Sequence, residues 1–84
     1  MAKKKRKYAE LNALKGRIRE KGTSYRKIAD EMGMGANTLS DKINGFYPFY
    51  VSEMEALAIL LDIAPKDVVH FFMPAYCKTQ RESA

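Results

Sequence analysis

An all-α fold, with five helical segments around one small core and a basic arm ahead of them, is what this 84-residue sequence predicts. Three observations carry that expectation. Apolar residues recur at three- and four-residue steps along most of the chain, the spacing that lines one face of a helix. Glycine, proline and small polar residues fall where such stripes begin and end. The length suffices for one hydrophobic core and is too short for two.

Residues 1–7 hold Lys3, Lys4, Lys5, Arg6 and Lys7 and are expected to form a flexible arm. A first helix is predicted over 8–21, with Tyr8, Leu11, Leu14 and Ile18 as its inward stripe and a charged remainder. Gly16 weakens that helix by about 1 kcal/mol relative to alanine, so its stability must come from packing. Lys21, Gly22 and Thr23 make the bend that follows.

Residues 24–45 read as two short helices joined by a glycine-bounded turn. Ser24 is a good N-cap, and Ile28, Ala29 and Met32 share one face. Gly33 can take the left-handed conformation that closes a helix, Met34 plugs inward, and Gly35 opens the next helix. Ala36, Leu39 and Ile43 recur at i, i+3 and i+7 and pack against the preceding helix, and Asn44-Gly45 ends the segment. Asn37, Thr38, Asp41 and, towards the edge, Ser40 face outward. That face is small and polar with almost no long charged side chains, which is unusual for a solvated helix and suits one pressed against base edges. Ordinary surface residues would give the same composition, but the joint fit of two helices, two glycines and the turn length argues against so plain a reading.

The segment 46–51, FYPFYV, holds four of the nine aromatic residues. Phe46 and Phe49 are assigned to packing, while Tyr47 and Tyr50 stand between packing and donation to a phosphate. A fourth helix is expected to open on a capping box of Ser52 and Glu55, with Met54, Leu57, Ala58 and Leu61 as its core stripe. Ile59 and Leu60 lie off that stripe, so the helix is apolar nearly all round and calls for cover from a fifth helix or a second subunit. Pro65 suits the first turn of that fifth helix, Val68, Val69 and Phe72 give it an apolar face, and Pro74 stops it. The organisation expected is thus an arm at 1–7, a domain at 8–74 and a frayed tail at 75–84.

Residues 24–46 resemble the Cro/C1-type (XRE-like) helix-turn-helix family, and within it the lambda-repressor-like DNA-binding domains. Ala29, the turn Gly33-Met34-Gly35 and the helix end Asn44-Gly45 carry the match. The lysine-rich start, the charged first helix, the apolar fourth helix and the short fifth extend it less tightly. The resemblance implies a compact five-helix bundle whose third helix enters the major groove while the second lies across the phosphate backbone. It also implies that Lys3, Lys4 and Lys5 reach around the duplex. This arm is more basic than that of the lambda-repressor-like domains and lacks their Pro-Leu-Thr segment. Tyr25 and Ala36 stand where those domains carry glutamines, so their paired-amide recognition does not transfer and the operator should differ.

The function expected is a sequence-specific DNA-binding transcriptional regulator, a phage or prophage repressor that occupies an operator. Asn37 is the leading base reader, since an amide can bond adenine N6 and N7 together. Ala36 and Thr38 could meet thymine methyls, Ser40 is ambivalent, and Asp41 could accept from cytosine N4. Ser24, Tyr25, Arg26, Asn44, Tyr47 and Tyr50 are the phosphate candidates. Operator logic calls for a homodimer, at least on DNA, with contacts at Val69, Phe71, Phe72 and Met73. The alternative is a protein-interaction or antitoxin-like module that keeps the helix-turn-helix without reading DNA.

Charge supports the DNA reading. The net charge is +5, and the arm's five cations account for all of it, leaving ten basic and ten acidic residues behind. Residues 15–42 hold seven basic and four acidic side chains, residues 53–67 four acidic and one basic, a layout that turns one end towards phosphates. KKKRK also resembles a nuclear localisation signal or a lipid-surface patch, both ranked below DNA.

Other classes are set aside. Cys77 is the only cysteine and His70 the only histidine, so neither an intrachain disulfide nor a zinc site is expected, and His70 is expected to be partly buried. No metal, cofactor or membrane partner is anticipated. The longest apolar run, 56–61, is too short to span a bilayer, which points to a cytoplasmic, nucleoid-associated protein of a bacterial or phage-infected cell. No nucleophile elbow, metal set or phosphate loop suggests an enzyme.

Overall fold

Residues 5–76 are described by the computed structural model, and among them every regular element is helical. Lys3, Lys4, Cys77 and the rest of the C-terminal tail lie outside the described residues. The elements are α1 (Asn12–Glu20), α2 (Tyr25–Met32), α3 (Ala36–Ile43), α4 (Val51–Leu60), a 3-10 turn (Pro65–Asp67) and α5 (Val68–Phe72). None of these helices is long and apolar enough to cross a membrane.

The first helix starts four residues later than its periodicity suggests. Leu11, Leu14 and Ile18 are buried as expected, but Tyr8 is 48% exposed and residues 6–11 are not helical. Three of their backbone donors are committed elsewhere. Lys7 and Tyr8 N–H both donate to Gly45 O at 2.9 Å, and Leu11 N–H donates to Ile43 O at 2.9 Å. Those bonds to the end of α3 replace the turn that would have extended α1, and no side chain caps Asn12's helix.

Four helices close in the same way. Thr23 N–H reaches Ile18 O at 3.3 Å, and Met34 N–H reaches Ala29 O, Phe46 N–H reaches Asp41 O and Ile63 N–H reaches Ala58 O, each at 2.9 Å and each around a residue of positive φ. Glycine supplies that residue after α1, α2 and α3; after α4 it is Asp62, at φ 53°. Asp62 is held from α1. Arg17 Nε donates to Leu61 O and its Nη2 to Asp62 O, both at 2.9 Å, while Lys21 Nζ bonds Asp62 Oδ2 at 2.7 Å. The hydrogen bond and charge of Lys21 hold the Asp62 carboxyl below its usual range.

α4 opens two residues before the predicted capping box. Tyr50 occupies the N-cap position and its N–H donates to Glu53 Oε1 at 3.0 Å, so Glu53 takes the role assigned to Glu55. Ser52 is exposed.

The core draws on every helix: Leu11, Leu14, Ile18, Ile28, Ala29, Leu39, Ile43, Leu57, Leu61, Ile63 and Phe72. α2 packs on α3 and α4, and α1 on α3 and α5. Pro65 opens the 3-10 turn before α5. Pro74 ends α5 as expected but also begins a further helical turn over 74–76, where its missing N–H costs nothing, so the chain is not yet a tail at 75.

Candidate nucleic-acid interface

The interface is built on the pair α2 and α3. Ser24 Oγ accepts from Lys27 N–H at 3.2 Å, which fixes the start of α2. Gly33 ends α2 at φ 73°, and Met34 turns in against the core. Gly35 then sits extended at the N-cap of α3. With Leu39 and Ile43 fully buried beneath it, α3 leaves Asn37 and Thr38 exposed and Ser40 and Asp41 half-buried.

The other sequence candidates divide. Arg26, Tyr47 and Tyr50 are exposed, as is Ser24 beside its capping bond. Tyr25 and Ala36 are half-buried and packed against the core, so each gives up part of the surface it was assigned. Ser40 and Asn44, read for separate tasks, hold one another: Asn44 Nδ2 donates to Ser40 Oγ at 3.3 Å.

Counting charges overstated what is available. Of the seven cations in residues 15–42, Lys15 is bonded to Glu10, Arg17 to the end of α4, Lys21 to Asp62, and Lys42 to Glu53. Arg19, Arg26 and Lys27 are exposed, and their side chains carry no hydrogen bond or ion pair within the described residues. The bond and charge of Lys15 lower the Glu10 carboxyl, helped by Arg6.

Lys42 was missed as a site residue. Its side chain is only 8% exposed, and its Nζ donates to Glu53 Oε1 at 2.8 Å and to Pro48 O at 3.1 Å. The ammonium also lies 4.5 Å from the centroid of the Tyr50 ring and 5.9 Å from that of Phe49. One cation therefore ties the last turn of α3 to the aromatic loop and to the start of α4. Burial raises the Glu53 carboxyl, but the Lys42 hydrogen bond, the Tyr50 amide and the Lys42 charge outweigh it and leave it lowered. The signal in the sequence was position: Lys42 follows Leu39 by three residues and so shares the buried side of α3.

The arm does not leave the body freely. Arg6 Nε donates to Asn44 O at 2.6 Å, its guanidinium lies 5.3 Å from the Phe46 ring centroid, and its Nη2 is 3.6 Å from Glu10 Oε1. Lys5 and Lys7 on either side are exposed.

Of the residues expected at a dimer contact, Phe72 belongs to the core, 8% exposed and edge-on to Phe49 at 5.7 Å between centroids. Val69 and Phe71 are half-buried, and Met73 is exposed. The exposed apolar surface lies nearby instead, along a groove of about 640 Å³ lined by Val51, Met54, Ala58, Ile59, Val68 and Met73. Val51 is 78% and Ile59 72% exposed, so neither α5 nor the 3-10 turn covers that side of α4. His70, expected to be partly buried, is exposed with its ring edge-on to Phe71. Among the described residues no cluster of His, Cys, Asp or Glu could hold a metal ion.

The chain matches no family model, no curated protein and no solved structure.

Proposed function

We propose that this chain is a sequence-specific DNA-binding transcriptional regulator of the Cro/C1 kind, with a lambda-repressor-like domain that places α3 in the major groove. One observation carries the reading: the turn Gly33-Met34-Gly35, with Met34 packed inward, sets α3 on α2 so that the side chains of Asn37 and Thr38 stand exposed, with no hydrogen bond to the rest of the described residues. Short polar groups on an exposed helix face match the donor and acceptor edges of bases in that groove. Arg26, Lys27 and the lysines of the arm supply sequence-independent attraction to phosphates.

Selection of bound duplexes from a random pool tests this. An enriched motif is expected, and Asn37→Ala should relax preference at one base pair by about 1 to 3 kcal/mol of discrimination. Equal binding to all duplexes would favour the interaction-module reading. A uniform loss in Asn37→Ala would make Asn37 a positioning contact.

The protein binds as a homodimer on this reading, because one short helix reads too few base pairs for a useful specificity ratio. The groove beside Val51, Ile59 and Met73 offers the apolar contact, in place of Phe72. Sedimentation of protein with its selected duplex should give two chains per duplex, and Ile59→Lys should reduce that to one. A single chain per duplex in the parent protein would remove the dimer.

A further inference from the structure

We infer that Arg6 is a positioning residue for α3 and that residues 6–11 form a strap which fixes the end of that helix at the point where the basic arm departs. The inference rests on the DNA-binding reading of α3. The last carbonyls of a helix have no partner within it and carry partial negative charge. Here the strap supplies the partners: Leu11 N–H for Ile43 O, the Arg6 guanidinium for Asn44 O, and Lys7 and Tyr8 N–H together for Gly45 O.

Gly45 shows how closely the strap is seated. At φ 90° it occupies the left-handed region, and a Cβ on it would lie 2.3 Å from Tyr8 O and 3.0 Å from Arg6 Cγ. Only a residue without a side chain lets the two backbones meet. Arg6 is further oriented by the Phe46 ring on one side and Glu10 on another, so its guanidinium is held against the protein although the side chain stays 48% exposed.

Two consequences separate this role from that of a phosphate ligand. A phosphate ligand contributes to the salt dependence of binding and is rescued by any cation at the same position. A residue that bonds a carbonyl through Nε while its planar group lies against a ring is not replaced by lysine. Because α3 carries the base readers, loosening its end should cost discrimination more than general attraction.

The test compares Arg6→Lys and Arg6→Ala with the parent protein on two duplexes, the tightest sequence recovered from the random pool and a scrambled one. Both variants are expected to lose about tenfold in the ratio of the two affinities, the scale of one charge-assisted hydrogen bond, at an unchanged salt slope. Hydrogen exchange on the free proteins should show the Lys7 and Tyr8 amides protected in the parent and less so in both variants. Full rescue by Arg6→Lys, with a slope lowered by about 0.9 in Arg6→Ala, would make Arg6 a phosphate ligand and overturn the inference. An unchanged affinity ratio in both variants would overturn it too. If the parent binds no duplex selectively, the DNA reading fails and with it the role of Arg6 in discrimination, while the exchange measurement still decides whether the strap is seated.

Discussion

Replacing Lys3, Lys4, Lys5 and Lys7 together by alanine is expected to lower the slope of log K against log salt for duplex binding by up to about 3.6 units, at about 0.9 per phosphate contact on B-DNA. Each arm lysine that meets a phosphate releases condensed counterions, so the loss should be largest at low salt and nearly the same for selected and scrambled duplexes. Arg6 is left out of the count because its guanidinium is bonded to Asn44 O and lies against Phe46. The body offers little compensation: Arg19, Arg26 and Lys27 are the cations of residues 15–42 whose side chains have no partner among the described residues. Fluorescence anisotropy over a salt series measures the slope directly. An unchanged slope would leave the arm without a role in binding, and a further fall on removing Arg6 would mean that Arg6 leaves its carbonyl for a phosphate.

Lys42→Ala is expected to destabilise the fold by about 2 to 3 kcal/mol. Removing one member of a buried ion pair costs about 3 to 5 kcal/mol where the survivor is left uncompensated. The figure is lower here because the Glu53 side chain is 19% exposed and keeps the Tyr50 amide. The effect should depend on pH in a definite direction. Glu53 has a carboxyl lowered in the folded state, so its contribution is complete above the pH where an unfolded glutamate ionises, about 4.3, and is lost as pH falls through the folded value. Parent and variant should therefore differ most near neutral pH and converge in acid. Urea unfolding at about pH 7 and about pH 3 measures both quantities. A difference that persists undiminished in acid would show that Lys42 acts through its buried apolar stem and not through its charge.

Much of the α2 and α3 region was legible in the sequence because its determinants are local. Ser24 caps the amide three residues on, Gly33 and Gly45 close the helices they follow, and the stripes of Ile28, Ala29, Leu39 and Ile43 face the core. The exposed pair Asn37 and Thr38 follows from the same periodicity. What was misread depends on partners distant in the chain. Tyr8 has the right spacing for α1, yet its amide is taken by Gly45, and no periodicity test registers a competing acceptor 37 residues away. Ser52 and Glu55 fit the local rule for a capping box, but Lys42 fixes Glu53 across the loop and the helix opens there instead. Charge went wrong for the same reason: summing cations along a sequence cannot separate Arg26, which is exposed, from Arg17, which is spent on the carbonyls of Leu61 and Asp62.

α3 is held from behind and from its end, by Leu39, Ile43, Lys42 and the strap on Gly45, while the side chains of Asn37 and Thr38 make no hydrogen bond to the rest of the described residues. Folding and recognition therefore draw on separate side chains of one eight-residue helix. Exchanges at positions 37 and 38 should change stability by no more than about 0.5 kcal/mol, the range of surface substitutions away from caps and cores. The recognition face is in that sense a removable plate on a fixed mount: a lineage could wander among target sequences there one substitution at a time, without passing through a chain that fails to fold.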